Sequence, residues 1–285
     1  MPSSVIRRGP WKLIETFDPE GIFASVVDKW SSQFFLGYYS EEGMTEGLRT
    51  YGLFDELARR DLVDPVLSFD LSDPYLHRMT IHCDGRVEPD TLMVDLRARL
   101  VRRPLHEEFA GYLGEVQFDF LFIEWLMLQH PKRGFTHERL PLPGQLHPGL
   151  GVGYEVFGLL LIMAERLRLG GILNVPLHYH NAALYQVRST FLDPEVEGAF
   201  RALQRDLGER PLPRATWAIH EDCVSRDGQP YEWNGHEQLC AVRRQVRRYF
   251  REPGFRSRRD RACSAHCFEV DDSRLSEVMQ RRLDP

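Results

Sequence analysis

"HPGLGVGYEVF", residues 147–157, decides how the rest of the chain is read. Gly149, Gly151 and Gly153 alternate with other residues and lead straight into the apolar run "YEVFGLLLIMAERLRL", 154–169. The preceding stretch also holds Pro141, Pro143, Gly144 and Pro148, a composition that excludes regular structure. The run itself is apolar nearly all round, which predicts a helix buried between layers, and Gly170-Gly171 marks its end. A helix start leaves its first N–H groups unpaired and carries partial positive charge. Glycines in front of it let an anion rest against bare backbone. The stretch is therefore either a phosphate-binding turn or a tight turn that serves packing alone, and the loop residues leave both open.

On its N-terminal side, "TLMVDLRARLV", 91–101, alternates Leu92, Val94, Leu96, Ala98 and Leu100 with Met93, Asp95, Arg97 and Arg99, the period of a strand with one buried face. "YLHRMTIHC", 75–83, pairs with it through a turn at Asp84-Gly85. "VQFDFLFIEWLML", 116–128, predicts a third strand, apolar on both faces and so covered on both sides. Residues 1–70 read as mostly helical: Leu48, Tyr51, Phe54, Leu57 and Ala58 make one stripe over 44–61, and "DPVLSFDLSDP", 64–74, reads as turn. On the C-terminal side, "ILNVPLHYH", 172–180, predicts a short strand, and "NAALYQVRSTF", 181–191, a helix capped by Asn181. Asp193 and Pro194 open a helix that places Val196, Phe200, Leu203 and Leu207 on one face. "ATWAIHEDCV", 215–224, and "EQLCAV", 237–242, read as late strands joined by a polar link.

The 285-residue chain is 42% hydrophobic and 27% charged, as expected of a soluble globular protein. A net charge of −6 argues against general nucleic-acid binding. The nine arginines between Arg243 and Arg261 read as a solvated face or as an attraction for an acidic partner such as a carrier protein. "MPSSVIRRGPWKLIETF" has no apolar core suited to a signal peptide. The apolar run Val156–Ala164 is shorter than the roughly 20 residues that cross a bilayer. Five scattered cysteines fit a reducing compartment, so a cytoplasmic location without membrane attachment is expected.

The loop lacks the lysine of a Walker site, and the strand after it, ending "VPLHYHN", lacks the acid of a dinucleotide site. The order of strands, Gly-rich loop, buried helix, strand and "NAALY" instead resembles the GNAT acyltransferase superfamily over about residues 75–191. The resemblance implies an α+β fold whose mixed sheet is mostly antiparallel and flanked by helices. It also implies one domain over 1–285, with a helical N-terminal addition over 1–70 and a C-terminal addition over 193–285. It implies that acyl-CoA is the donor, its pyrophosphate held by Gly149, Leu150, Gly151, Val152 and Gly153, with Asn181 also on the donor and the pantetheine arm along 116–128 and 172–179. A carrier-protein thioester presents the same arm. Tyr185 matches the tyrosine that protonates the departing thiolate. The family's loop opens on Arg or Gln, and counting back from the glycines puts Leu146 or Pro148 there, with Gln145 one residue off.

Acyl transfer to an amine of a small molecule or peptide needs a base, a donor to the carbonyl and an acid for the thiolate. Glu124, within an apolar strand, is the candidate base, since burial would raise its pKa. His178 and His180 close the following strand, and His180 serves as an auxiliary group. The same pair has the spacing of metal ligands on a strand, with His147, Glu124 or a cysteine as a third, and Cys263, His266 and Cys267 form a second group. Neither is a zinc signature, and no metal is expected. A ligand-binding or scaffold protein without catalysis, and a homodimer, complete the alternatives.

Overall fold

The computed structural model describes residues 34–113, 116–136 and 140–283. It is an α+β protein built on an open, mostly antiparallel sheet flanked by helices. The chain divides into two compact units, each assembled from separate segments. The first comprises Met1–Val101, Leu121–Lys132 and Gly149–Leu169; the second comprises Arg102–Phe120, Arg133–Pro148 and Gly170–Pro285. Two boundaries between the units, at 101/102 and 120/121, fall within strands. No helix among the described residues is long and apolar enough to cross a membrane. Residues 1–33 of the expected helical N-terminal addition lie outside the described residues.

In the first unit, helices α1 (Glu41–Thr50) and α2 (Leu53–Ala58) precede strands β1 (Val66–Asp70), β2 (His77–His82) and β3 (Leu92–Pro104). Strand β4 (Gln117–Leu128) and helix α4 (Gly153–Arg166) complete it; between β3 and β4 lies the short α3 (Glu107–Ala110) of the second unit. The sheet order here is β1-β2-β3-β4, with β1/β2 and β2/β3 antiparallel. The turn after β2 uses left-handed backbone at Asp84 (φ 59°) and Gly85 (φ 63°), as the Asp-Gly step predicts. The first half of β3 is buried on both faces, Met93 and Asp95 included, and Leu100 is exposed, so the expected alternation of one buried face does not hold. Asp95 tolerates burial because Arg78 of the neighbouring strand donates to both its carboxylate oxygens, at 2.9 and 3.1 Å.

Two expectations in this unit are corrected. The single helix over 44–61 is two, because Gly52 adopts a left-handed φ of 78° and turns the chain between them. The turn-rich 64–74 stretch contains strand β1: Val66–Asp70 is short and bounded by Pro65, so its alternation spans too few residues to register as a period.

In the second unit the first residues of β4 join β5 (Gly171–Asn174), β9 (Gln238–Ala241) and β6 (Thr190–Phe191) in that order, with β9 antiparallel to both β5 and β6. Along the chain, β5 is followed by helices α5 (Tyr179–Tyr185), α6 (Pro194–Leu207) and α7 (Leu212–His220), and a second, small sheet has the order β10 (Phe268–Val270), β7 (Val224–Arg226), β8 (Gln229–Pro230). Helices α8 (Arg244–Tyr249), α9 (Pro253–Ala265) and α10 (Asp272–Leu283) complete the unit. Helix α6 starts as expected: Asp193 caps it by accepting from the N–H groups of Glu195 and Val196, and Pro194 fills the first position. Its core face packs Phe200, Leu203 and Leu207 with Phe191, Trp217 and Phe268.

Here too the structure departs from expectation. "ATWAIHEDCV" begins in helix α7, not a strand: Pro211 and Pro213 start the helix, Ala215 and Ala218 favour it, and five consecutive buried residues hide its period. Strand β5 stops at Asn174, before Pro176, which has no N–H to give a ladder. His178 is consequently the N-cap of α5, His180 lies in its first turn, and Asn181 is the helix's third residue and not its cap.

Candidate functional site

Strand β4 ends at Leu128, and the chain returns to that end at Gly149. Gln129 and Gly149 form an isolated antiparallel bridge, and the N–H of Leu150 donates to the carbonyl of Leu128 at 3.2 Å. Leu150 and Val152 are buried, whereas Gly151 and Gly153 are exposed. The alternation of glycines thus has a physical cause: two apolar side chains pin the loop from below and leave bare backbone on the open side. Gly151 has φ 76°, a conformation that a side chain would strain.

Helix α4 begins directly after. Its N-cap, Val152, offers no side-chain acceptor to the first-turn N–H groups. Those donors and the helix dipole polarise the surface positively, and Glu155, half-buried in the first turn, sets one carboxylate beside them. The guanidinium of Arg60, just beyond α2, adds charge: Nη2 donates to the carbonyl of Gly151 at 2.9 Å and Nη1 to Glu56 Oε2 at 2.7 Å. Arg60 was invisible to sequence reasoning, because it lies 91 residues from the glycine it touches.

Glu124 is exposed, and its carboxylate accepts from Arg99 Nε at 2.6 Å. The Arg99 guanidinium also lies 4.8 Å from the Phe122 ring centre. Glu124 is thus a surface ion pair on a strand whose buried residues are Phe118 and 120–123, and the expected burial of its carboxylate is not there.

His180, Asn181 and Tyr185 belong to the second unit, on α5. The rings of His178 and His180 stack with centres 5.3 Å apart and planes 11° from parallel, and His220 of α7 lies edge-on to His178 at 6.0 Å. Trp217, fixed by its indole N–H on the Pro141 carbonyl at 2.9 Å, packs against His220. Burial, then the neighbouring His178 and His220, pushes the His180 imidazole down to about 4, so the ring is neutral at pH 7. Its Nδ1 is buried without a hydrogen-bond partner, as are Asn174 Nδ2 and Gln238 Oε1 on cross-strand partners of β5 and β9. Burial raises the Tyr185 phenol above its ordinary value, so it keeps its proton at neutral pH.

His178 and His180 do not share a strand face, so the spacing argument for a metal pair lapses. His266 bonds Asp227 at 2.8 Å and Arg226, and Cys263 and Cys267 are free thiols. Among the described residues no group of three or more His, Cys, Asp or Glu side chains has the arrangement of a metal site. Comparison with protein-family models, with curated proteins and with solved structures finds no match to this chain.

Proposed function

We propose that the protein is a GNAT-like acyltransferase of the cytoplasm. In this reading it moves an acyl group from acyl-CoA, or from a carrier-protein thioester, to an amine of a small-molecule or peptide acceptor. The observation that carries the reading is the uncapped start of α4 behind a loop whose backbone faces outward at Gly151 and Gly153, with Arg60 alongside. An anionic diphosphate fits that donor set: it accepts from backbone N–H groups and is attracted by the guanidinium. Arg60 supplies a cation where the loop's own sequence has Leu146 or Pro148 in place of arginine. The succession of β4, loop, α4, β5 and α5 carrying Asn181 and Tyr185 also supports it.

The amine attacks the thioester carbonyl, the carbon–sulfur bond breaks, the thiolate takes a proton and the amine loses one. Tyr185 holds a proton at neutral pH and is assigned as the acid. His180, neutral with an open ring nitrogen, is assigned to orient the acceptor. Glu124, held by Arg99, is assigned as the base. The arginine-rich segment from Arg243 to Arg261 suits an acidic carrier protein as donor.

Thermal unfolding with acetyl-CoA and with longer acyl-CoAs tests the reading. A donor at about 100 times its Kd adds roughly 2.7 kcal/mol. Gly153→Asp is the informative control, since a Cβ at Gly153 meets nothing within 4 Å. The first turn already holds Glu155; a second acid at the loop glycine itself favours the helix but puts a carboxylate where the phosphate would rest, so this variant is expected to keep its stability and lose the donor response. If no thioester donor, acyl-phosphopantetheine included, shifts the wild-type protein, the reading fails.

A further inference from the structure

The second unit contains a cleft of about 650 Å³ lined by none of the residues assigned to the acyl-transfer chemistry. Its size lies within the roughly 300–1,000 Å³ range of small-molecule sites. The floor is aromatic: Phe191, Phe200, Tyr231 and Trp233 all line it. These rings are fixed. Phe200 packs edge-on against Phe191 at 5.1 Å and against Trp233 at 6.0 Å, and the Trp233 indole N–H donates to the Pro176 carbonyl at 3.1 Å. Small side chains along the walls, Ala199 on α6 and Ala262 and Ala265 on α9, leave the cleft open.

The rim carries charge of both signs. Arg258 and Arg261, one turn apart on α9, face the cleft, and Glu195 of α6 and Glu232 of the 231–236 segment line it as well. Arg258 is engaged by Glu108, and Arg226 by His266 and Asp227. Asp193 is occupied in capping α6. Arg261, Glu195 and Glu232 have no side-chain partner among the described residues. A purely anionic ligand would meet the two free carboxylates, and a purely cationic one the guanidiniums. A ligand bearing both charges on an aromatic body satisfies the rim and the floor together.

We infer that this cleft binds an aromatic α-amino acid or a short peptide of such residues, its carboxylate on Arg261, its ammonium on Glu232 and Glu195, and its ring over Trp233. The site shares only Arg258 and Arg261 with the segment offered to a carrier protein, and its test uses no acyl donor.

Titration calorimetry on the full chain, with tryptophan emission as a second signal, tests it with phenylalanine and the dipeptide Phe-Phe. The controls are phenylalanine amide (cation only), N-acetylphenylalanine (anion only) and alanine (no ring). The zwitterionic aromatic probes are expected to bind at least about tenfold more tightly than any control, as a charge-assisted contact warrants. Arg261→Gln is expected to weaken phenylalanine about tenfold while leaving phenylalanine amide unchanged. Glu232→Gln is expected to weaken phenylalanine and spare N-acetylphenylalanine. Both replaced side chains are exposed and unpaired, so the variants keep the fold. Absence of binding by phenylalanine and Phe-Phe at millimolar concentration, equal binding of the controls, or indifference to both substitutions overturns the proposal.

Discussion

Single residues carry the most direct tests. Arg60 touches the loop through one guanidinium nitrogen and Glu56 through the other. Arg60→Gln removes a charge-assisted contact worth about 1.5–3 kcal/mol when a diphosphate is bound. It costs under about 1 kcal/mol of stability, since the Glu56 pair is near the surface. The expected result is donor affinity at least about tenfold weaker by calorimetry with a nearly unchanged melt; unchanged affinity removes Arg60 from the site. His180 gives a pH test. Its folded value of about 4 lies below the ordinary 6.5, so between these values the unfolded chain binds the extra proton and stability falls as pH falls. Integrated from pH 7.5 to 5, the loss is roughly 2 kcal/mol. His178 is shifted the same way by burial, so the measurement is a difference. Urea unfolding of the wild type should lose about 2 kcal/mol more over this interval than His180→Gln does, and equal losses would show that the ring is not held neutral by its surroundings.

At the scale of elements, α6 and α9 pack face to face at very close range. A Cβ at Gly198 would run into the Arg259 carbonyl and lie 2.6 Å from the Ala262 Cβ. Backbone cannot swing aside as a flexible side chain does, so Gly198→Ala is expected to cost about 1–3 kcal/mol, read as a lower denaturant midpoint. A neutral substitution would mean that the helices are free to separate. Such packing leaves no trace in a single sequence, and the same holds for the other features that sequence reading missed. Strands β2, β3 and β4 and helices α4 and α6 were legible because each spans enough residues to display a period or carries an explicit cap. Helix α7 was not, because burial over Ala215–Ile219 erased its polar face. Helix α5 began earlier than "NAALY" suggested, because β5 ends before Pro176. At the candidate site, the loop and its helix were legible from glycine spacing. Arg60 was not, since its relation to Gly151 exists only after folding, and neither was the exposure of Glu124, which sits in a strand that reads as apolar on both faces.

At the scale of the whole molecule, the two units differ from domains strung on a linker. The chain passes from one to the other at 101/102, 120/121, 132/133, 148/149 and 169/170, five crossings in all. Strand β4 gives Gln117–Phe120 to the second unit and Leu121–Leu128 to the first, and β3 is divided likewise at Val101. The ends of a strand are linked by fixed backbone geometry, so disorder introduced at one end weakens the ladder at the other. Each crossing also means that unfolding one unit releases the anchoring of segments in the other. A chain connected in this way is expected to unfold in one cooperative step. Trp125 lies in the first unit, and Trp217 and Trp233 lie in the second. The sequence also has Trp11 and Trp30, so urea unfolding is followed in variants that retain, of all five tryptophans, only Trp125 or only Trp217 and Trp233; they should give a common midpoint that coincides with the loss of far-ultraviolet circular dichroism. Separate midpoints for the two sets would show that shared strands do not couple the units and that each holds its own stability.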